Sequence, residues 1–523
     1  MIAGTHAPRR LDIEGLRAVA IILVLLYHAG LPVTGGFIGV DVFFVISGFL
    51  ITGLLLRELE TTGGVSLPRF YARRAKRLLP AAGVVLVATA VLTWATATAV
   101  NWRTFGWDVV GAATYVVNWV LAGRSVDYLA EDVGASPVQH FWSLAIEEQF
   151  YLLWPAVLLF VTWRARKSGG GLRAWALGGV LALALPSFAW SVVYTAADPG
   201  PAFFATTTRL WELALGAVVA IGARAWPALP RVPAEISGWV GAGLIVGGAV
   251  GIDASTPWPS AWALVPTTGT ALLIIAGYHR TTWSRWLSVR PAVWIGALSY
   301  SLYLWHWPVV EAGRSALGGL SPAAGVALSA ASVLPAYLSY RLVENPIRSA
   351  PSLSSSNRLA LSVGLNFSLA GAAAGLLLVA ATLTTPAPAP PVADPPGAEA
   401  VDPGGVQEPE EEPELPPNKP AEEPTGEPEG FTPLPVDAPE DLPAAYAQGC
   451  QVDQSSPEPH LCEYGDLHGA TRVAVVGDSK VIQYQSALDA IGKEHGIHFY
   501  SYTKSACVLS AGMQENKIGR AHV

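Results

Sequence analysis

Residues 11–30 read LDIEGLRAVAIILVLLYHAG. After Arg17 the run AVAIILVLLY carries no charge, and it closes on His28. Arg17 and His28 are eleven residues apart, a spacing that advances a helix by ~16 Å and returns to nearly the same face. A guanidinium near one end of an apolar helix therefore stands in line with an imidazole near the other. Ionisable groups inside a membrane span are costly, which makes them functional candidates. Taken singly, Arg17 reads equally well as a positive-inside anchor and His28 as an interfacial packing residue. Arg9 and Arg10 precede the run, and no small-residue cleavage site follows it, so it is expected to stay as a first spanning helix.

The rest of the chain has the same character. Of 523 residues, 51% are hydrophobic and only 14% charged, with 19 Trp against 32 Lys+Arg. Soluble globular chains carry about 25% charged residues. These values exclude a single soluble enzyme domain, a nucleic-acid binder and a disordered protein. They leave a polytopic protein whose main partner is the lipid bilayer. Eleven spanning helices are expected, at about 17–35, 38–57, 80–100, 143–163, 173–194, 207–224, 236–252, 261–277, 292–311, 322–342 and 358–382, each near the ~17–25 residues a bilayer requires.

Positive charge orients these helices. Arg9, Arg10 and Arg17 assign the N-terminus to the cytoplasm. Arg69, Arg73, Arg74, Lys76 and Arg77 mark the loop between the second and third helices as cytoplasmic. Arg164, Arg166, Lys167 and Arg173 mark the loop between the fourth and fifth. The moderately apolar stretch 105–123 would invert every later loop if it crossed, so it reads as an interfacial or re-entrant element. Eleven crossings leave the C-terminal region outside the cytoplasm.

The net charge of −8 is local, because residues 384–449 hold 15 Asp+Glu and one Lys. This Pro/Ala/Glu-rich stretch cannot build a core and reads as a disordered, solvated linker. Ordered sequence is expected from Cys450. RVAVVG (472–477) reads as a buried strand, 481–493 as a helix and 498–502 as a second strand, the opening β-α-β of an α/β domain. Too few residues follow to close that domain, and the chain is expected to continue naturally beyond them. IGRAHV (518–523) is what a common sequencing-adapter string encodes, and it is set aside from fold reasoning. Cys450, Cys462 and Cys507 all lie beyond the apolar region, which suits an oxidising compartment. Cys450 and Cys462 are spaced for a disulfide, and Cys507 is expected to pair elsewhere.

Several motifs join the first helix. They are GGFIGVDVFFVISGFLIT (35–52), FYARRAKRLLP (70–80), FWSLAIEEQFYLLWP (141–155), TTRLWELALG (207–216), LSYSLYLWHWP (298–308) and YRLVENPIR (340–348). In this order, over roughly residues 11–350, the chain resembles the membrane-bound acyltransferase-3 family. It is most similar to the subgroup with a C-terminal extracytoplasmic SGNH domain that O-acetylates bacterial surface polysaccharides. The resemblance implies a membrane domain over 11–350, an additional span over 358–382, the linker over 384–449 and an incomplete SGNH-like domain over 450–517. The fold class expected is an all-α polytopic membrane protein followed by the start of an extracytoplasmic α/β domain, in a bacterial plasma membrane.

The same resemblance implies an acyl-CoA donor, acetyl-CoA first, in the cytoplasm and a carbohydrate hydroxyl as acceptor on the far side, with no metal. The family's essential Arg and His fall on Arg17 and His28. Neutral imidazole is a suitable base for a hydroxyl near neutral pH, and Arg suits the phosphates of CoA. Arg74-X2-Arg77 matches the family's donor-binding RXXR, although any cytoplasmic loop is basic. Ser143-Leu-X2-Glu147-X3-Tyr151 matches its SLxxExxxY pattern. Glu147 and Tyr151, at i,i+4, share a helix face, and Glu148 adjoins them. Glu147 is a candidate to orient His28; Ser143, Glu148, Tyr151 and Asp41 are candidates to hold the acceptor. Ser47 is a further polar group in apolar context. Arg209 and Glu212 read as a structural ion pair. His306, between two Trp, reads as an aromatic-belt residue or part of a sugar platform, the former favoured. His140 and His279 read as loop residues, and Glu344 as the end of a helix.

Gly477-Asp478-Ser479 after a strand looks like the first block of SGNH hydrolases, with Ser479 the nucleophile. The subgroup's following His-Ala is Lys480-Val481 here, and the later blocks that complete a triad are absent. His460, His468, His495 and His498 read as solvated surface. Two other functions fit parts of the sequence. A transporter or flippase for lipid-linked saccharides would also have many helices, but internal repeats are not evident. A membrane-anchored esterase would act through Ser479.

Overall fold

The computed structural model describes residues 10–125, 134–384, 443–452 and 460–504, together with the backbone of 513–516 and 519–522. The chain divides into two units, residues 1–383 and 384–523, each described by itself.

The first unit is helical throughout. Its elements are α1 (Leu11–His28), α2 (Gly39–Thr62), α3 (Leu67–Thr96), α4 (Ala99–Ala113), α5 (Val117–Arg124), α6 (Phe141–Ser168), α7 (Leu172–Ala197), α8 (Pro199–Phe204), α9 (Leu210–Ile221) and α10 (Arg231–Gly251). There follow α11 (Leu264–Ala276), α12 (Thr282–Leu287), α13 (Arg290–Leu317), α14 (Pro322–Ser349, with a π turn at Tyr340–Glu344) and α15 (Asn357–Thr384). Left-handed Gly63 and Gly169 end α2 and α6, the conformation that glycine adopts without a Cβ penalty. Among the described residues, seven helices are long and apolar enough to cross a membrane: α2, α3, α6, α7, α10, α14 and α15. The chain is thus a multi-pass membrane protein.

The remaining four expected spans are helical but differ in kind. Helices α9 and α11 have 12 and 13 residues. Helix α1 stops at His28 and carries Asp12, Glu14 and Arg17 in 18 residues. Helix α13 has the length, 28 residues, but holds Arg290, His306, Glu311 and Arg314.

One sequence expectation about these helices needs correction, and the reading of 105–123 as something other than a crossing gains detail. The basic stretch 69–77 is not a loop: α3 begins at Leu67 and runs unbroken through Pro80. Arg74 and Arg77 are therefore one turn apart on a helix. Residues 105–123 form no single span. Tyr115, with φ of +57°, lies between α4 and α5, of 15 and 8 residues, so each is shorter than the ~30 Å hydrocarbon core. Asp108, fully buried, pairs with Arg124 at 2.5 Å and ties the two pieces together.

Glycines let the central helices approach closely. A Cβ at Gly48 of α2 would stand 1.8 Å from the Leu213 carbonyl oxygen of α9, and one at Gly216 of α9 would stand 2.0 Å from that of Val45. Gly296 of α13 meets the Glu14 carbonyl of α1 at the same 1.8 Å. In lipid, helices associate largely through such small-residue contacts. Gly48→Val must part α2 from α9, and overpacking of this kind costs about 1–3 kcal/mol. The expected result is a lower thermal midpoint for the detergent-purified protein, with Gly53→Val, whose position faces open space, unchanged. Equal midpoints would contradict the packing account.

The second unit carries a small sheet. Strand β4 (Ile497–Lys504) pairs in parallel with β3 (Thr471–Gly477) and with β1 (Gln451–Val452), and antiparallel with β2 (Leu461–Gly465). The expected β-α-β is present. Its helix is split into α16 (Ser479–Ile482) and α17 (Gln485–His495). Strands β5 (Met513–Asn516) and β6 (Gly519–His522) pair antiparallel, so residues set aside in the sequence reading take part in a hairpin. A short helix at Ala444–Ala447, within the stretch read as linker, buries Ala445 against Cys450 and Ile482. Cys450 and Cys462 form a disulfide with Cα atoms 5.7 Å apart. Cys507, and the linker over 385–442, lie outside the described residues. His498 is not surface: it is buried on β4, stacks on Tyr500 and lies 3.1 Å from Glu463 Oε1. Burial raises the Asp489 carboxyl, but the Lys493 ammonium and the Gly465 N–H outweigh it and hold the carboxyl below its ordinary value.

Candidate active site

Three arginines gather at one end of the helical unit. Arg17 comes from α1, and Arg74 and Arg77 from one face of α3, where i,i+3 spacing brings side chains together. All three line one cavity, the inner cavity. A second cavity, the outer one, shares Arg17 and Arg77 and adds Arg290, Arg348, Glu344 and Trp294. Arg17 and Arg77 line both cavities. Arg17 Nη1 lies 3.2 Å from Glu14 Oε2. The Arg74 guanidinium lies over the Tyr151 ring, 4.6 Å from its centroid, a cation–π arrangement that holds both side chains in place.

Helix α6 supplies the opposite wall. Ser143, Glu147, Glu148 and Tyr151 all line the inner cavity, as one face of a helix running past it requires. Tyr151 Oη stands 2.9 Å from Ser47 Oγ and 3.0 Å from Glu147 Oε2. Ser143 Oγ stands 2.7 Å from Tyr303 Oη. Tyr303 Oη donates to the His140 carbonyl at 2.9 Å. Ser143 Oγ donates to the same carbonyl at 3.3 Å, so the two hydroxyls share one acceptor and either can be the donor in the bond between them.

Beyond Tyr303 three imidazoles gather. His28 Nδ1 lies 3.0 Å from His306 Nε2. His306 Nδ1 lies 2.7 Å from the Tyr303 carbonyl and 3.2 Å from that of Leu302. Those carbonyls require a proton on His306 Nδ1, which leaves His306 Nε2 as an acceptor. His28 Nδ1 must then be the donor. The proton that His28 gains or loses sits on Nε2. The tautomer of His28 is thereby assigned from the network. His140, 3% exposed, turns Nε2 to the Leu304 carbonyl at 3.1 Å, and its ring centroid is 5.7 Å from that of His306.

Eight residues singled out in the sequence therefore line one cavity: Arg17, Ser47, Arg74, Arg77, Ser143, Glu147, Glu148 and Tyr151. His28 is not a lining residue; it joins the cavity wall through His306 and Tyr303. Asp41 is also absent from the lining. It is buried against Arg209, with Arg209 Nη1 3.0 Å from both Asp41 Oδ1 and Glu212 Oε1, so the expected ion pair is a three-membered cluster that includes Asp41. His306 is fully buried and is not an aromatic-belt residue. His140 lies in the turn before α6, as expected, but is buried. Glu344 is buried within a helix, accepts from Ser301 Oγ at 3.0 Å and lines the outer cavity. The spacing Ser299-Tyr303-His306 along α13 puts these three on one face, a signal that the sequence carried and that Trp305 and Trp307 obscured. Among the described residues no group of three His, Cys, Asp or Glu side chains converges as a metal site.

Ser479 opens α16 directly after β3, with Asp478 capping that turn by accepting from the Lys480 N–H at 2.9 Å. Ser479 is 2% exposed. The strand-to-helix setting is the one expected of a nucleophile turn.

Comparison with known proteins bears on both units. The family model described as an acyltransferase domain matches residues 10–341. The model described as an SGNH domain fused to AT3 domains matches residues 449–522. A peptidoglycan O-acetyltransferase OatA of Listeria monocytogenes is 33% identical over 354 residues, covering 64% of this chain and 55% of that protein. An O-acetyltransferase OatA of Staphylococcus aureus is 33% identical over 362 residues, covering 66% of this chain and 58% of that protein. The chain thus spans little more than half the length of these relatives. No solved structure matches it.

Proposed function

This chain belongs to the acyltransferase domain family, and from that premise we propose that it is a membrane O-acetyltransferase. It takes the acetyl group of acetyl-CoA from the cytoplasmic face and delivers it to a hydroxyl of an extracytoplasmic glycan, with peptidoglycan the first candidate by its likeness to the Listeria protein. The N-terminus is cytoplasmic by its arginines, and the SGNH unit is extracytoplasmic.

One observation carries the reading. Arg17 and Arg77 line two cavities, and Tyr303 in the wall of the inner one leads by hydrogen bonds to His306 and His28. The guanidinium groups hold the phosphates of CoA. The acyl-pantetheine arm enters the inner cavity. His28 Nε2, its ring fixed by the hydrogen bond to His306, takes the proton of the acceptor hydroxyl. The acceptor oxygen bonds to the acyl carbon, the C–S bond breaks, and the proton passes to the departing thiolate. The same nitrogen can also carry the acyl group in a relay, with Ser479 receiving it last. The two routes differ in whether labelled acetyl stays on the protein when acceptor is withheld. Glu147 and Tyr151 keep Arg74 in place, and Asp41 acts through Arg209 in holding α2 to α9.

The test is acetyl transfer in proteoliposomes loaded with peptidoglycan fragments and supplied outside with radiolabelled acetyl-CoA. Label is expected on the glycan. Translocation of a lipid-linked saccharide with no acetylation would replace this reading with the transporter.

A further inference from the structure

Serine and threonine hydroxyls inside these helices mostly satisfy themselves on the carbonyl one turn back. Thr89 bonds to Val85, Thr162 to Leu158, Thr267 to Ala263 and Thr270 to Pro266, all at 2.6–2.8 Å. This back-bonding is the ordinary use of a helical hydroxyl in an apolar setting. Ser299 on α13 departs from it. The residue is fully buried and its Oγ has no hydrogen-bond partner.

Tyr115 shows the same deficit. Its Oη is sealed from solvent and unpartnered. Its polar neighbour is Tyr300, but the two oxygens do not meet hydrogen-bond geometry, and Tyr300 Oη donates to the Leu78 carbonyl at 2.8 Å. Other buried hydroxyls also lack partners, among them Thr93, Ser191, Thr195, Ser329 and Ser339. None of those lines the inner cavity, whereas Ser299 and Tyr115 both do.

The backbone at Tyr115 is held in a conformation that L-residues rarely adopt, φ of +57°, and positions kept in such regions cluster at functional sites. This backbone is pinned from α6, where Gln149 Nε2 donates to the Tyr115 carbonyl at 2.9 Å. An unmade hydrogen bond in a dry site is costly, so two such donors, on residues of separate elements that line one cavity, call for an acceptor that enters it.

We propose that the hydroxyls of Tyr115 and Ser299 donate to a carbonyl oxygen of the acyl-pantetheine arm in the inner cavity. The proposal rests on the acetyl-CoA reading above and assigns the carbonyl contact within it. That arm carries two kinds of carbonyl. If the contact is to the thioester, the hydroxyls stabilise charge developing on its oxygen, and their loss lowers kcat with KM unchanged. If the contact is to a pantetheine amide, the interaction is equal in ground and transition states, and its loss raises KM with kcat unchanged.

The test compares Tyr115→Phe, Ser299→Ala and the double variant with the wild type in the proteoliposome assay, varying acetyl-CoA. Each single change removes one oxygen and keeps the shape, so a fold defect in one leaves the other to be read. The double variant is expected to lose at least tenfold in kcat/KM. Inhibition by product CoA, which keeps the amides and lacks the thioester, separates the two contacts: it weakens in the double variant only for the amide. Wild-type kcat and KM in a double variant, beside a wild type that transfers acetyl, overturns the assignment alone. A wild type that transfers no acetyl from acetyl-CoA overturns the acetyltransferase reading and takes this inference with it.

Discussion

His28→Ala is expected to lower acetyl transfer from acetyl-CoA by about 10²–10⁴-fold, the range of general-base catalysis. The protein should still purify with a wild-type thermal midpoint, because His28 is at the end of α1 and only half-buried. The sharper part of this prediction concerns His306. Its Nδ1 is committed to backbone carbonyls, so its Nε2 serves as the acceptor that fixes His28. His306→Ala removes the acceptor and frees the His28 ring to rotate. His306→Gln keeps an amide oxygen that can accept from His28 Nδ1–H. Transfer by the Gln variant should therefore exceed that of the Ala variant, with the same slope in its pH profile as the wild type. If Gln and Ala variants are equally impaired, or if His28→Ala transfers normally, the assignment of His28 Nε2 as the proton-accepting atom fails.

The sequence announced the arginine end of the site more fully than the histidine end, and the reason is physical. Charged residues in an apolar chain are conspicuous, so Arg17, Arg74, Arg77, Glu147 and Glu148 stand out by residue type alone. Their grouping around one cavity is legible as spacing, Arg74 to Arg77 and Glu147 to Tyr151. Pro80 misleads the reading of 69–77, because proline suggests a helix start, while in α3 it lies mid-helix. His140 and His306 are hidden differently. Each lies among Trp and Phe at what reads as an interface, and neutral imidazole adds no charge signal. Their partners are 164 and 278 residues away in sequence, Leu304 and His28 respectively, and no periodicity reports contacts between distant helices. Asp41 shows the converse. As a lone acid in an apolar helix it resembles a substrate ligand, but its counter-charge comes from Arg209 on another element. Tyr115 gives no signal, since an isolated tyrosine in an apolar stretch says nothing of a helix break.

Arg77→Gln is expected to raise the KM for acetyl-CoA by about 10–100-fold, because a hydrogen bond to a charged group contributes about 1.5–3 kcal/mol and each ~1.4 kcal/mol is tenfold. Arg77 and Arg17 are the two residues shared by the inner and outer cavities, so a donor that occupies both lies against them. Arg17→Gln should act in the same direction, and the two changes together should fall short of additive if both guanidiniums grip one phosphate group. Arg74 differs. It lines only the inner cavity and is held against Tyr151, so Arg74→Gln should disturb kcat along with KM. Acetyl-pantetheine, which has the thioester and no phosphate, provides the control. Its kcat/KM should be nearly indifferent to Arg77→Gln, since the lost group has nothing of it to hold. An equal loss for both donors would mean that Arg77 supports the helices around the cavity rather than the phosphates of the donor, and the sharing of Arg77 by the two cavities would lose its meaning as a route for CoA.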